Sequence, residues 1–319
     1  MDSSPTYQLI MYKMEKKSAV QKILSNPITR IVLGLAVCFG GFLIGQNIAG
    51  KFLGLTSFDK DFRNLFKGIT ASIFVIGSYK IFYQWIERRK VLEISMHGIG
   101  WNASSGILIG TVLQCLTVSI IYAFDGFQII SIHPVSFIII PLTVAFTVAI
   151  FEEILIRGIL LRIIEESLGS YITLIISALI FGGLHLLNPN SSLTSAFCVA
   201  VEGGLLLGAS YIYTRNLWFP IAIHFAWNFI QSGIFGAITS GNEKTNSLFT
   251  TQIIGPTFIT GGPFGPEGTI QATIFCGFAT IVLMYFNIKK NKLIEPCWKN
   301  KQKRLETEVF VALKSSQSL

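Results

Sequence analysis

Long apolar runs separated by short polar links dominate the chain. Eight of these runs reach roughly 17 to 25 residues, the length that crosses a bilayer as a helix. Their predicted limits are Ile31 to Ile48, Gly68 to Trp85, Ala103 to Phe124, Phe137 to Leu161, Tyr171 to Leu187, Ser192 to Tyr213, Leu217 to Ile238 and Thr269 to Ile288. The pattern predicts an all-α fold, a polytopic integral membrane bundle of about eight transmembrane helices.

Polar ends divide the chain into three parts. Residues 1–30 are predicted to be a cytoplasmic N-terminal segment, residues 31–288 a transmembrane domain, and residues 289–319 a basic cytoplasmic tail. The composition agrees with this division, because 51% of the residues are hydrophobic and 13% are charged. Soluble domains carry about a quarter charged residues, so membrane lipid is the predicted surrounding of the chain.

The formal net charge of +8 is concentrated near the two ends of the chain. The basic residues there are Lys13, Lys16, Lys17, Lys22, Arg30, Lys289, Lys290, Lys292, Lys299, Lys301, Lys303 and Arg304. By the positive-inside rule, they predict that both termini are cytoplasmic. The expected location is an integral membrane position in a bacterial plasma membrane. Nucleic-acid binding is disfavoured as the reason for the positive charge, because these residues flank spans and lack interleaved aromatic residues.

Two connections stand out from the simple alternation of spans and links. The segment from Lys51 to Lys67 holds four basic residues on the side predicted to be outside, so either it is an interfacial helix or the first span is wrong. The connection from Gly241 to Gly268 is rich in Gly and Pro, which predicts a turn-rich loop. The five cysteines are scattered without C-x-x-C spacing, so we predict neither a disulfide framework nor a thiolate metal site.

Ionisable side chains inside the fourth span are candidates for chemistry. Such groups cost several kcal/mol in a membrane unless they are paired or face water, so each one is a functional hypothesis. Glu153 and Arg157 are four residues apart in the order that favours an ion pair on one helix face. Glu152 then projects about 100° away and can point into the bundle.

Two of the four histidines lie in apolar runs. His224 precedes Asn228 by four residues, so the two side chains share a helix face and can reach one point between helices. If the fourth and fifth spans turn near Gly169, Glu152 lies 17 positions before the turn and His185 lies 16 positions after it. Because a helix rises about 1.5 Å per residue, the two side chains should lie level.

This combination of groups predicts amide hydrolysis by an activated water, because no serine or cysteine is placed beside the histidines. Glu152 would act as the general base and His185 would hold and polarise the water. His224 and Asn228 would donate hydrogen bonds to the oxyanion that forms. A zinc site that uses Glu152, His185 and His224 as ligands is the nearest alternative. Against it, the chain has no H-E-x-x-H motif and Asn228 would have no task.

The three motifs resemble those of the CPBP or ABI family, the intramembrane CAAX prenyl endopeptidases and bacteriocin-processing enzymes. The motifs that carry the resemblance are Glu152-Glu153-Ile-Leu-Ile-Arg157, Phe181-Gly-Gly-Leu-His185 and His224-Phe-Ala-Trp-Asn228. They correspond to E-E-x-x-x-R, F-x-x-x-H and H-x-x-x-N, and the similarity covers roughly 137–230. The resemblance implies catalysis without an obligatory metal by Glu152, His185, His224 and Asn228, supported by Glu153, Arg157 and Phe181. It implies a peptide or lipidated protein as substrate.

Other readings remain open at this point. A non-catalytic scaffold for bacteriocin self-immunity would suit a family member that has lost a motif residue, but every motif position is intact here. A transporter would also place polar residues in spans, yet no inverted repeat is apparent. Glu202, in the sixth span, is unexplained by the motifs and could pair with a basic residue, line a water path or be a spectator.

Overall fold

The computed structural model describes residues 24–299. The predicted N-terminal segment up to residue 23 and the tail from residue 300, with their basic residues, lie outside the described residues. The first elements are α1 (Pro27–Gly54), α2 (Lys60–Trp85), α3 (Ile99–Ala123), β1 (Phe127–Ile132) and a 3-10 turn (Val135–Ile138). The next are α4 (Ile139–Glu153), a π-helical turn (Ile154–Leu161), α5 (Arg162–Leu184) and a 3-10 turn (His185–Leu187).

The second half of the chain has the same mixture of helices and irregular turns. It contains α6 (Leu193–Val199), a π-helical turn (Ala200–Leu205), α7 (Leu206–Thr214), α8 (Trp218–Phe229) and a third π-helical turn (Ile230–Ile234). After these come β2 (Phe249–Ile253), α9 (Thr257–Thr260), two 3-10 turns (Gly262–Phe264 and Pro266–Gly268) and α10 (Ile270–Lys289). Each π-helical turn adjoins or contains a polar residue of a span, as such turns often do at functional sites.

The helices confirm an all-α polytopic membrane bundle. Within residues 24–299, six helices are long and apolar enough to cross a membrane. One of them, Val135–Leu187, is 53 residues long and contains the predicted fourth and fifth spans. The predicted seventh span corresponds to α8, which has 12 residues and is extended by its π-helical turn.

A backbone break at Gly169 folds the 53-residue helix into a hairpin. Gly169 has φ 73° and ψ 171°, a conformation that residues with a Cβ avoid. The guanidinium carbon of Arg157 lies 4.7 Å from the centre of the Phe181 ring, whereas 24 residues of straight helix would separate them by about 36 Å. The two residues are equally far from Gly169 along the chain. The predicted turn is therefore confirmed, and it brings Glu152 and His185 to one level.

Small residues let neighbouring helices approach closely, which is typical of packing inside a membrane. A Cβ added at Gly41 of α1 would lie 2.1 Å from the Ser78 hydroxyl oxygen of α2. A Cβ added at Gly110 of α3 would lie 2.4 Å from the Ile223 carbonyl oxygen of α8. The close approach at Gly110 lets α8, which carries two of the candidate site residues, pack against α3.

The segment from Lys51 to Lys67 differs from both readings of the sequence. Lys51 belongs to the last turn of α1, and α2 begins at Lys60. The link between them is short, and it contains no interfacial helix. The first predicted span is therefore correct in place but ends too early, because helical backbone continues beyond the apolar run to Gly54.

A two-stranded sheet lies outside the predicted all-helical pattern. β1 follows α3, and β2 lies inside the connection that was predicted to be a turn-rich loop from Gly241 to Gly268. The strands pair antiparallel, with Phe127 opposite Ile253 and a register shift between Ile129 and Ser131. A pairing between segments so distant in sequence leaves no local signal, so the sequence pattern could not reveal it.

Ion pairs join several helix ends on one side of the bundle. Arg30, at the start of α1, contacts Glu87 after α2 at 2.7 Å and Glu166 at 2.6 Å. Arg162 contacts Glu87 at 3.1 Å, and Arg215, after α7, donates to the Lys292 carbonyl after α10 at 2.7 Å. We call this side of the bundle, defined by Arg30, Arg162, Arg215 and Lys292, the basic end. Both ends of the described chain lie there.

Candidate active site

A buried ion pair between the end of α4 and the π-helical turn that follows it holds one of the candidate histidines. Glu153 and Arg157 are both 0% exposed, and the Arg157 Nη1 donates to the Glu153 Oε1 at 2.6 Å. The same carboxylate oxygen lies 3.0 Å from Nδ1 of His224 on α8. The ion pair predicted from the i to i+4 spacing is therefore present. The contact with His224 was not predicted, because it depends on how α8 packs against α4.

Arg157 connects this pair to the other candidate helices. Its guanidinium donates to the carbonyl oxygens of Gly203 and Gly204 in the π-helical turn between α6 and α7. It also lies over the ring of Phe181, at 4.7 Å from the ring centre. Arg157 is fully buried in the bundle. A buried guanidinium needs such partners, since an unpaired charge there is costly.

His185 is oriented by its own helix. Its Nδ1 lies 2.8 Å from the Phe181 carbonyl oxygen, which can only accept a hydrogen bond. The Nδ1 atom therefore carries a proton, and Nε2 is the ring nitrogen left to face a ligand. The Phe181 ring packs against His185 with 4.7 Å between ring centres, so Phe181 positions the imidazole by both its carbonyl and its ring.

Glu152 points away from the ion pair, as the 100° rotation between successive helix positions predicts. Its side chain is 30% exposed, and its Oε2 lies 4.0 Å from Nε2 of His224. This separation is too long for a direct hydrogen bond, and Glu152 Oε2 has no hydrogen-bond partner among the described residues.

All four residues that the sequence singled out for catalysis line one cavity of about 380 Å³. They are Glu152 on α4, His185 at the end of α5, and His224 and Asn228 on α8. Within residues 24–299 the Asn228 carboxamide makes no hydrogen bond, so it can meet a ligand. The cavity combines an acid, two imidazoles and an amide, and its chemistry is suited to general acid–base work.

The cavity opens away from the basic end. The start of α5 lies at the basic end, because the Ser170 N–H donates to the Ile294 carbonyl at 2.9 Å. The end of α5 and the following Asn188 are therefore at the opposite end, where Asn242 and Thr245 also line the cavity. Val144 of α4 lines it too and is 49% exposed. The site can thus be reached from the end opposite the basic end and from the lipid side of α4.

A second, smaller cavity of about 40 Å³ adjoins the first, and we call it the inner chamber. Four residues line both cavities, and they are His185, His224, Asn228 and Ser240. The inner chamber alone is lined by the carboxyl groups of Glu202 and Glu267, which are 6% and 5% exposed. Sequence reasoning missed Ser240 and Glu267, although the density of Gly and Pro around Glu267 marked an unusual loop.

Glu202 resolves one of the open points of the sequence. Its Oε1 accepts a hydrogen bond from the Thr273 hydroxyl of α10 at 2.9 Å. No basic side chain pairs with it among the described residues, and its Oε2 has no hydrogen-bond partner there. Of the three roles left open for Glu202, the structure of residues 24–299 shows no ion pair, and it places Glu202 in the wall of a cavity.

The three candidate zinc ligands are not gathered into a preformed set. Within the part of the chain that the structure describes, no three His, Cys, Asp or Glu side chains converge closely enough to hold a metal ion. The Nδ1 atom of His224 contacts Glu153 at 3.0 Å, and its Nε2 atom lies 4.0 Å from the Glu152 carboxylate.

Comparison with known proteins bears on the segment that carries the site. Residues 134–230 match the family model described as type II CAAX prenyl endopeptidase Rce1-like. This segment runs from the 3-10 turn before α4 to the end of α8 and contains all three motifs. The curated proteins and the solved structures give no match. The chain is an integral membrane protein, and its residues 134–230 are similar to the Rce1-like type II CAAX prenyl endopeptidases.

Proposed function

We propose that the protein hydrolyses a peptide bond inside the membrane by a water that Glu152 activates, without a metal ion. The family supports an endopeptidase of the CAAX type in general. The observation that supports hydrolysis by an activated water is that one cavity is lined by all four candidate catalytic residues, Glu152, His185, His224 and Asn228. These four side chains come from three helices and share no other evident structural task.

The proposed reaction follows from the contacts of these groups. Glu152 takes a proton from the water while the water oxygen attacks the carbonyl carbon of the substrate, and His185 Nε2 holds that water. The oxyanion accepts hydrogen bonds from the Asn228 amide and from Nε2 of a protonated His224. Glu152 then passes its proton to the leaving nitrogen, the C–N bond breaks, and a carboxylic acid and an amine are released.

Glu153 and Arg157 have a positioning role in this proposal. Glu153 accepts from Nδ1 of His224 at 3.0 Å, so Nε2 is the atom directed at the reacting group. Arg157 compensates the charge of Glu153 and anchors it to the π-helical turn after α6. A carboxylate that orients a catalytic imidazole is a recurrent device in hydrolases.

The substrate class that we propose is a lipidated or apolar peptide, as in CAAX-type processing or in processing of bacteriocin-like peptides. The cavity of about 380 Å³ is partly lined by Pro141, Val144, Ala145 and Val148 of α4. Such apolar lining suits a peptide segment that arrives from the lipid.

We propose that the basic end is cytoplasmic, in accordance with the positive-inside rule. Arg30, Arg162 and Arg215 bond to groups at the ends of neighbouring helices. These three side chains therefore lie outside the apolar centres of the spans. The loop-lined opening of the cavity then faces the opposite side of the membrane.

Cleavage by purified protein in proteoliposomes tests the proposed function. The substrates would be a farnesylated peptide that ends in a CAAX sequence and the same peptide without the lipid. We expect cleavage by the wild type, with and without chelator, and loss of cleavage by about 10² to 10⁴-fold in Glu152→Gln. His185→Ala should lose a comparable amount. The matched control is Glu166→Gln, an exposed carboxyl at the basic end, which should cleave like the wild type.

Three results would contradict the proposal. Undiminished cleavage by Glu152→Gln would exclude it as the general base. Loss of cleavage with chelator and recovery with zinc would favour a metalloprotease. No cleavage of either peptide, or of a wider library of apolar peptides, would favour a non-catalytic scaffold.

A further inference from the structure

The inner chamber contains two carboxyl groups that the proposed reaction does not use. Glu202 lies in the π-helical turn between α6 and α7, and Glu267 lies in the 3-10 turn before α10. Each exposes 6% or less of its surface. Buried acids without basic partners are costly, so they need another source of hydrogen bonds.

Glu267 is held in place by its loop. Its Oε1 accepts from the backbone N–H of Ser240, a residue whose φ is 52°. The Ser240 carbonyl accepts from the Asn188 amide at 3.0 Å. Gly265, with φ 107°, allows the loop to approach, since a Cβ there would be 2.1 Å from the Ile238 carbonyl oxygen. A left-handed non-glycine residue kept in place by such contacts is typical of a functional site.

The protonation of Glu267 depends on this surrounding. Burial raises the pKa of Glu267, whereas the hydrogen bond from Ser240 and the charge of His185 lower it, and the rise prevails. Glu202 lines the same chamber, and two carboxyl groups in one small cavity avoid being ionised together. The pair can therefore offer both a hydrogen-bond donor and acceptors to a small polar ligand.

The size of the chamber selects the ligand. A volume of about 40 Å³ holds about three water molecules at 10 to 15 Å³ each, and each needs two to four polar partners. The polar residues that line the chamber are Glu202, Glu267, Ser240, Asn228 and the two histidines. The apolar part of its wall includes Val199 and Leu206, which are buried at 4% and 1% exposure.

We propose that the inner chamber is a water-binding site that supplies the nucleophile, with Glu202 and Glu267 as its anchors. This inference rests on the proposed hydrolysis, which consumes one water per turnover in a setting with little free water. The chamber shares His185, His224 and Asn228 with the reaction cavity, so a water can move from the carboxyl pair to the reacting position without leaving the protein.

Hydroxyl-radical footprinting tests the water directly, because radicals made by X-rays from bound water label the side chains that touch it. Trp227 is the reporter, since it is 8% exposed and lines the inner chamber but not the larger cavity. We expect labelling of Trp227 in the wild type well above that of Tyr79, which is 0% exposed. Labelling of Trp227 no stronger than that of Tyr79 would overturn the proposal.

Substitutions at Glu202 provide a second test of the water-binding proposal. Glu202→Leu should reduce Trp227 labelling several-fold and lower kcat by at least about tenfold with little change in KM, because the substrate cavity is intact. Glu202→Gln keeps the hydrogen-bonding groups, so it should retain most of the Trp227 labelling and most of kcat. The matched control is Gln114→Leu, which removes another buried polar group, 0% exposed, that lines neither cavity. It should leave Trp227 labelling and kcat unchanged.

The two arms separate this inference from the proposed function. Glu152→Gln should abolish cleavage while Trp227 labelling persists, and labelling can be measured even if no peptide is cleaved. If a bound peptide product protects Trp227 from labelling, the chamber is a substrate subsite and the water proposal is wrong. Equal kcat in Glu202→Leu and the wild type would likewise contradict it.

Discussion

The contact between Glu153, Arg157 and His224 allows structural and catalytic roles to be separated by a double-mutant cycle. Glu153→Leu leaves the Arg157 guanidinium without its carboxylate, and Arg157→Met leaves the Glu153 charge uncompensated. Both residues are 0% exposed and their atoms are 2.6 Å apart. Breaking such a buried pair from one side costs about 3 to 5 kcal/mol, so each single variant should be destabilised by that amount.

The double variant should recover stability but not activity. With both charges removed, an apolar pair of similar volume is often neutral, and the remaining loss is the bonds to the Gly203 and Gly204 carbonyls, about 1 to 3 kcal/mol. His224 still lacks the acceptor for Nδ1, so kcat should stay about 10² to 10⁴-fold below the wild type.

Unfolding in detergent micelles and peptide cleavage measure the two quantities on the same preparations. Restored cleavage in the double variant would refute the positioning of His224 by Glu153. A double variant no more stable than either single one would refute the energetic coupling of the ion pair.

Further predictions concern the hairpin, the charged network and the orientation. Gly169→Ala should lower the free energy of unfolding by at least about 1 to 3 kcal/mol, because φ is 73° and the new Cβ would lie 2.7 Å from a backbone nitrogen. The control Gly183→Ala meets nothing within 4 Å and should be neutral or slightly stabilising in the same thermal scan. Although burial acts to raise it, hydrogen bonds from Arg89 and the Tyr79 hydroxyl lower the pKa of Glu93 below its usual value. The stabilisation by Glu93 should therefore be complete above the unfolded pKa of about 4.3 and be lost as the pH falls through the lower folded value. Glu93→Gln should flatten that acid-side decrease in melting temperature, and an unchanged slope would contradict it. Glu243→Cys, on the rim of the cavity, should react with a membrane-impermeant maleimide added outside intact cells, whereas labelling only after lysis would reverse the proposed orientation.

The sequence determined the spans, the charged ends and the identity of the candidate site residues. Apolar length alone separates lipid-spanning helices from links, so all eight predicted runs are helical. Short-range helical spacing was enough to pair Glu153 with Arg157, and a turn at Gly169 was enough to bring Glu152 level with His185. These features depend on one helix or one hairpin, where the geometry per residue is constant.

Only the tertiary structure decided how separate helices meet. The contact of His224 with Glu153, the pairing of β1 with β2, and the meeting of Glu202 with Glu267 join residues far apart in the chain. Each of these contacts depends on how a helix is rotated about its axis and on how closely helices approach at small residues such as Gly110. The sequence does not fix these two quantities, because similar apolar faces can pack in many arrangements. The side of the bundle on which the cavity opens follows from that packing and has no signature in the order of the residues.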